Sequence, residues 1–271
     1  MTQPQLAVSR LLRGYLTGAL CAVGSLTEAL ATVERERECV NAEREAFEEF
    51  ATTVESLPAR PGQSAETPPG LTTATGDGGR LRAVRDHYRE TVMAVPDYDE
   101  EYGESLQENM TAEFGGEVAA AVTGGSQFTP QLRQLLVSGA QTAARQRERL
   151  GGTLDTEYES VSDARTQLED IDANLQRVTA TDPLEQSFSD LVDDAHDLRQ
   201  DERRCEQLLE TRQQEINREK RQFRRSGDVL LQEYLNADLD VTFPVLDAAL
   251  EQLGRLRERQ RVVIRSLVRR E

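Results

Sequence analysis

Tryptophan is absent from this chain of 271 residues and aromatic residues make up only 5% of it. That excludes a large globular core built on bulky rings and leaves thin, aliphatic interfaces as the way to bury surface. Lysine is nearly missing as well: Lys220 is the only one among 32 basic residues, which face 49 acidic ones for a formal charge of -17. An acidic, arginine-based surface reads as adaptation to a salt-rich interior, where screening suppresses repulsion between exposed carboxylates. It does not read as a binding site.

Histidine and cysteine are scarce, and their spacing excludes the usual metal and disulfide frameworks. Cys21, Cys39 and Cys205 form no Cys-x-x-Cys or Cys/His pattern, so reduced thiols in a cytoplasmic protein are expected. A carboxylate-bridged di-metal site in a helical bundle needs two Glu-x-x-His pairs. Here His196 gives only Asp193-x-x-His196, and His87 gives the reversed His87-x-x-Glu90. No phosphate-binding glycine loop and no Gly-x-Ser-x-Gly turn occurs. No metal, no cofactor and no enzymatic activity are expected. The uncharged run Gly14 to Thr27 is 14 residues long, short of the ~20 that a membrane span requires, so no span is expected either.

What the chain does have is helical periodicity. Leu184, Phe188, Leu191, Ala195, Leu198, Glu202, Cys205, Leu209, Arg212, Ile216, Glu219, Phe223, Ser226 and Leu230 follow a three-then-four spacing, the signature of a coiled-coil seam. Leu150, Leu154, Glu157, Val161, Ala164, Leu168, Ile171, Leu175 and Val178 repeat it upstream. The two stripes are separated by Thr181-Asp182-Pro183, which predicts an antiparallel hairpin over 129–235 with the returning helix capped by Asp182 and Glu185. Gly151-Gly152 interrupt the outgoing arm, where a bend or fraying is expected.

A third long helix is predicted over 4–57, with Arg37 and Arg44 at positions where the stripe is otherwise apolar. Polar residues at such positions, here Arg37, Arg44, Glu202, Arg212 and Glu219, either fix register through ion pairs or lay their stems on the stripe and reach solvent. Aligning the helix ends predicts Arg37 opposite Glu202 if the first helix opposes the returning arm, or near Glu219 if it runs with it.

Between these helices, 58–79 holds four of nine prolines and five of eighteen glycines and reads as a flexible linker. Residues 80–128 form a subdomain of short helices, one near 80–95 and one beginning at Asp97. It carries Tyr88, Tyr98, Tyr102, Met110 and Phe114, most simply a small core against the long helices and otherwise an interaction surface. Residues 236–271 form a last amphipathic helix with seven arginines between Arg255 and Arg270. Arg255, Arg259, Arg269 and Arg270, with the tract Arg218 to Arg225, are the candidates for nucleic acid or an anionic surface. Affinity of that kind falls steeply with salt, and pairing with acidic faces of neighbouring helices is the simpler expectation.

The blocks ERECVNAEREAFEEF (36–50), YRETVMAVPDYDEEYGESL (88–106) and YLNADLDVTFPVLDAALEQL (234–253) resemble those of a haloarchaeal all-helical family of unknown function. That resemblance implies an all-α fold and no particular activity, ligand or site residue. The expected architecture is an elongated antiparallel bundle of three long helices with shorter accessory ones. The expected role is non-enzymatic, structural or adaptor-like, with an unidentified protein or a second copy as partner. The alternative is a nucleic-acid-associated factor.

Overall fold

Proline lacks the amide hydrogen that the first turn of a helix leaves unused, and threonine supplies an oxygen for one that is orphaned. Thr129-Pro130 works in this way: the Leu132 amide donates to Thr129 Oγ1 at 3.1 Å, and a helix runs unbroken over Pro130–Ala180. A computed structural model describes residues 3–59, 77–96, 104–223 and 230–270. In the first helix, side chains are described from Gly24 onward. Among the described residues every regular element is helical, so the fold is all-α.

In chain order the elements are α1 (Gln3–Ser56), α2 (Asp77–Glu90), a single 3₁₀ turn at Val92–Ala94, α3 (Leu106–Phe114), α4 (Gly116–Thr123), α5 (Pro130–Ala180), α6 (Phe188–Phe223), α7 (Leu231–Leu235) and α8 (Pro244–Val268). The chain forms two compact units, one of Met1–Glu34 with Thr156–Glu271, the other Arg35–Asp155. Both α1 and α5 contribute to each.

Two of the three expected long helices have about the predicted length, at 54 and 51 residues. The third is shorter. Asp182 does not cap the returning arm; its Oδ1 accepts from the Leu184 amide at 2.9 Å in a local turn, a competing use of a short acidic side chain. The capping pair lies five residues later, where Ser187 Oγ accepts from the Asp190 amide and Asp190 Oδ2 from the Ser187 amide, both at 3.2 Å. Thus α6 begins at Phe188 and spans 36 residues to Phe223. The predicted single arm to residue 235 is also broken at its far end, because Leu230 is in extended backbone and α7 is a separate five-residue helix. Gly151-Gly152, by contrast, pass through α5 without ending it.

The first unit buries one aliphatic core. Leu26, Ala29 and Leu30 of α1 meet Val161, Ala164, Leu168, Ile171, Leu175 and Val178 of α5, Leu191, Leu198 and Cys205 of α6, and Val245, Ala249, Leu253, Leu256 and Val263 of α8. Every α5 and α6 residue in that set was on a predicted stripe. The part of α1 before Gly24 lies outside the residues whose side chains are described.

The second unit is the aromatic one. Phe47 and Phe50 of α1 pack with Tyr88 of α2 and Phe114 of α3, Phe50 lying 5.0 Å from Tyr88 and 6.0 Å from Phe114 between ring centres. Met110, Val122, Phe128, Leu132 and Leu136 complete the core. The short helices are therefore docked on the long ones within this unit, as the cluster of rings in the sequence suggested. α3 starts at Leu106, with Ser105 and Glu108 in a reciprocal capping box. Asp97, the expected start, lies outside the described residues, and Glu104-Ser105 are not helical. Gly115 separates α3 from α4 at φ +85° and ψ 155°, a conformation open essentially to glycine alone.

Gly139 in α5 has a different reason. A Cβ there would lie 2.5 Å from Phe114 Cδ1, so the missing side chain lets the ring seat against the helix. Gly139→Ala gains about 1 kcal/mol of helix propensity but forces that ring outward, at a typical overpacking cost of about 1–3 kcal/mol. The expected outcome is a net loss of stability, read as a lower midpoint in urea. A raised midpoint would show that Phe114 can move freely.

Candidate functional site

Among the described residues of the first unit, chemistry-bearing side chains are buried together in a cluster where α5, α6 and α8 meet. At its centre, Arg212 of α6 donates through Nη1 and Nη2 to the two carboxylate oxygens of Glu157 on α5, Nη1 to Oε2 at 3.0 Å and Nη2 to Oε1. Arg212 Nη1 also reaches Glu215 Oε2 and Ser160 Oγ, both at 3.1 Å. Gln232 of α7 donates to Glu157 Oε2 at 3.3 Å. Arg212 and Glu157 are only 6% and 7% exposed. Burial disfavours the guanidinium charge, but the hydrogen bonds and field of Glu157 and Glu215 outweigh it and raise the pKa above the usual arginine value.

Beside this pair a half-open cleft of about 160 Å³ is lined by Ser160, Asp163, Gln167, Thr211, Arg212 and Glu215 among others. Its one cation is already committed to two carboxylates. The cleft therefore presents no free positive group to an anion.

Towards the turn between α5 and α6 the same seam carries Asp201, which accepts from Asn174 Nδ2 at 2.5 Å. Asp194 follows, accepting from Arg177 Nη1 at 3.2 Å and from Gln186 Nε2 at 2.7 Å. Both aspartates are about 4% exposed. Cys205 sits in the apolar part of the seam, where burial, with Asp201 nearby, pushes its thiol up to about 12. It stays protonated and is no nucleophile at neutral pH. Cys39 is half-buried in α1.

Four of the seven C-terminal arginines turn back onto α5, α6 and the turn between them. Arg255 Nη1 lies 2.7 Å from Asp172 Oδ1 of α5, and Arg257 bridges Glu202 and Glu206 of α6 at 2.7 Å each. Arg259, 8% exposed, donates to the Val178 and Thr181 carbonyls at 2.5 and 3.0 Å. Arg270 donates to the carbonyls of Pro183 and Leu184 at 2.9 and 2.8 Å, and to that of Gln186. These two supply cations and donors to the carbonyls that the end of α5 and the following turn leave without intrahelical partners. Arg269 alone of the four named candidates is exposed with no such role.

The polar residues predicted on the stripes have separate fates. Arg37 pairs with α5, its Nε donating to Asp155 Oδ1 at 2.7 Å, while Glu202 is held by Arg257. Arg44 bonds Glu48 and Glu45 of its own helix at 2.9 and 3.1 Å, the solvent-reaching alternative. Glu219 Oε1 accepts the Leu231 amide at 2.7 Å, an acid at the start of α7. Only Arg212 forms a buried cross-helix pair.

Among the described residues the second unit has one comparable cluster. Arg147 of α5 donates to Glu43 of α1 at 2.9 Å and to Glu113 of α3 at 2.6 and 3.1 Å, with its guanidinium 4.9 Å from the Phe47 ring centre. Burial opposes its charge, yet the hydrogen bonds of Glu113 and Glu43 raise its pKa. Tyr88, a surface candidate from the sequence, is fully buried and donates to Asn109 Oδ1 at 2.5 Å. Tyr98 and Tyr102 lie outside the described residues. Sequence reasoning missed Arg147, Glu43 and Glu113, since nothing in the spacing of three residues on three helices marks them as partners.

A fold of long antiparallel helices whose polar side chains are spent on one another defines an all-α helical protein with ion-paired seams. The chain belongs to the family described as Domain of unknown function (DUF7260), whose profile it matches over residues 24–260. No curated protein and no solved structure matches it. Among the described residues no helix is long and apolar enough to cross a membrane.

Proposed function

We propose that this protein is a non-enzymatic structural or adaptor element of a salt-adapted cytoplasm, acting through contacts with other protein surfaces. The observation that carries this reading is where its polar and apolar side chains are placed. The buried ionic groups of the first unit close on each other, whereas Leu184, Phe188, Ile264 and Val268 are left 67%, 54%, 39% and 65% exposed around the α5–α6 turn. Apolar side chains exposed together mark contact sites. The alternative, nucleic-acid association through the last helix, is disfavoured because Arg255, Arg257, Arg259 and Arg270 are occupied by Asp172, Glu202, Glu206 and backbone carbonyls.

The test is affinity capture of the full chain in concentrated KCl, with and without nuclease. Specific protein bands that survive nuclease are expected. Recovery of nucleic acid, with the protein bands lost after nuclease, would replace this reading by the alternative.

A further inference from the structure

We propose that the groove between α6 and α8 beside the α5–α6 turn binds a second copy of this chain; the inference rests on the contact role proposed above and names its surface and partner. Arg257 bonding Glu202 and Glu206, and Arg270 bonding the Leu184 carbonyl, make α6 and α8 antiparallel neighbours. Phe188 and Val192 come level with Val268 and Ile264 as a result.

Helical spacing places all four on the groove. Glu206, which faces α8, lies eighteen residues or five turns after Phe188, so the two share a face. Ile264 lies seven residues after Arg257, which faces α6, and Val268 one turn further. The sides turned to α5 are marked instead by Asp194 and Asp197 on α6, both bonded to Arg177, and by Arg255 and Arg259 on α8. The groove is therefore apolar along its floor and open to solvent.

Charge decides what fits there. Arg261, Arg265 and Arg269 form an exposed row on α8, four residues apart, and among the described residues none is bonded to an acid. Like charges at that spacing repel. Glu185 and Asp193, exposed on the turn and α6, are likewise without a basic partner among the described residues.

A basic edge on α8 and an acidic edge on the α6 side make the face self-complementary. A two-fold axis parallel to the helices lays each α8 on the partner's α6, setting arginines against Glu185 and Asp193 and covering both apolar floors. A two-fold across the helices would set arginines against arginines. The charges thus select a dimer of parallel copies, with one patch used twice. An anionic lipid surface would attract the arginine row but repel the acidic edge.

Sedimentation equilibrium of the full chain in KCl should return twice the chain mass of 30.3 kDa. V192D and V268D, which place a carboxylate on the exposed floor, should each weaken self-association by at least about 30-fold without loss of helicity. V262D, on the α5 side of α8, should leave it unchanged. R265E should weaken the dimer and D193R should restore it in the double variant. A chain that is monomeric throughout, a dimer indifferent to V192D and V268D, or failure of the charge swap would each overturn the proposal. So would binding to anionic vesicles in place of self-association. A monomer that still captures another protein removes only the second copy, whereas one that captures nothing removes the contact role too.

Discussion

Arg212→Ala is expected to cost about 3–5 kcal/mol, because it strands the Glu157 carboxylate at 7% exposure with no cation to answer it. In a unit of this size that lowers the melting temperature by roughly 10 °C. Glu157→Ala should cost a comparable amount, since Arg212 would keep only the outer Glu215 and Ser160. Removing both charges is the informative step. With Glu157→Leu and Arg212→Leu together, the buried pair is gone and only Glu215, 36% exposed, is left to solvent, so the double variant should return to within about 1 kcal/mol of the parent or exceed it. The calorimetric cycle would contradict the buried-pair assignment if either single change cost under about 1 kcal/mol, the range of exposed pairs. What the double variant should lose is alignment. Apolar stripes on α5 and α6 slide past one another by a turn at little cost, whereas a bidentate pair fits one offset only.

The second large effect belongs to the other unit. Arg147→Ala should destabilise by about 3 kcal/mol or more, because Glu43 and Glu113, 14% and 16% exposed, then face each other without the cation between them. The cover over Phe47 is lost as well. Arg147→Lys separates the two contributions: an ammonium keeps the charge but cannot serve two carboxylates along separate edges of a planar group, so it should recover part of the loss. Urea denaturation of the three proteins measures this. Equal stability of the lysine and alanine variants would mean that the guanidinium geometry matters and its charge does not, and full recovery would mean the reverse.

How far the fold could be read from the chain depended on the range of the interaction involved. α1 and α5 were legible to within a few residues because periodicity, Thr129-Pro130 and the absence of breakers act within one or two turns. The start of α6 was misjudged for a local reason also present in the sequence. Asp182 and Ser187 both head a capping pattern three residues before an acid, and Asp182 is diverted into a turn by the Leu184 amide, leaving Ser187 and Asp190 to start the helix. Moving the start to Phe188 also moved Leu184 and Phe188 off the seam and onto the surface.

The candidate site was legible residue by residue but not pair by pair. Arg212 stood out as a cation on an apolar stripe, whereas its partner Glu157 was one position of the facing stripe and was not singled out. Arg37 stood out equally and pairs with Asp155 of α5, both of them partly exposed. The arginines of α8 looked like one basic patch. In the fold, their successive 100° steps send Arg255 and Arg259 towards α5, Arg257 towards α6, and Arg261, Arg265 and Arg269 to solvent.

The sequence alone determined that this protein is all-α, built on long amphipathic helices around a tight turn, with polar residues breaking its stripes at particular places. Those properties follow from spacing along one chain segment and from side chains that act on their own backbone. Tertiary structure alone decided which helix faces which, which charge each arginine meets, and which apolar residues stay outside. Those outcomes depend on the relative offset and direction of segments far apart in the chain, and a shift of one turn in that offset changes every pairing while leaving every local pattern intact.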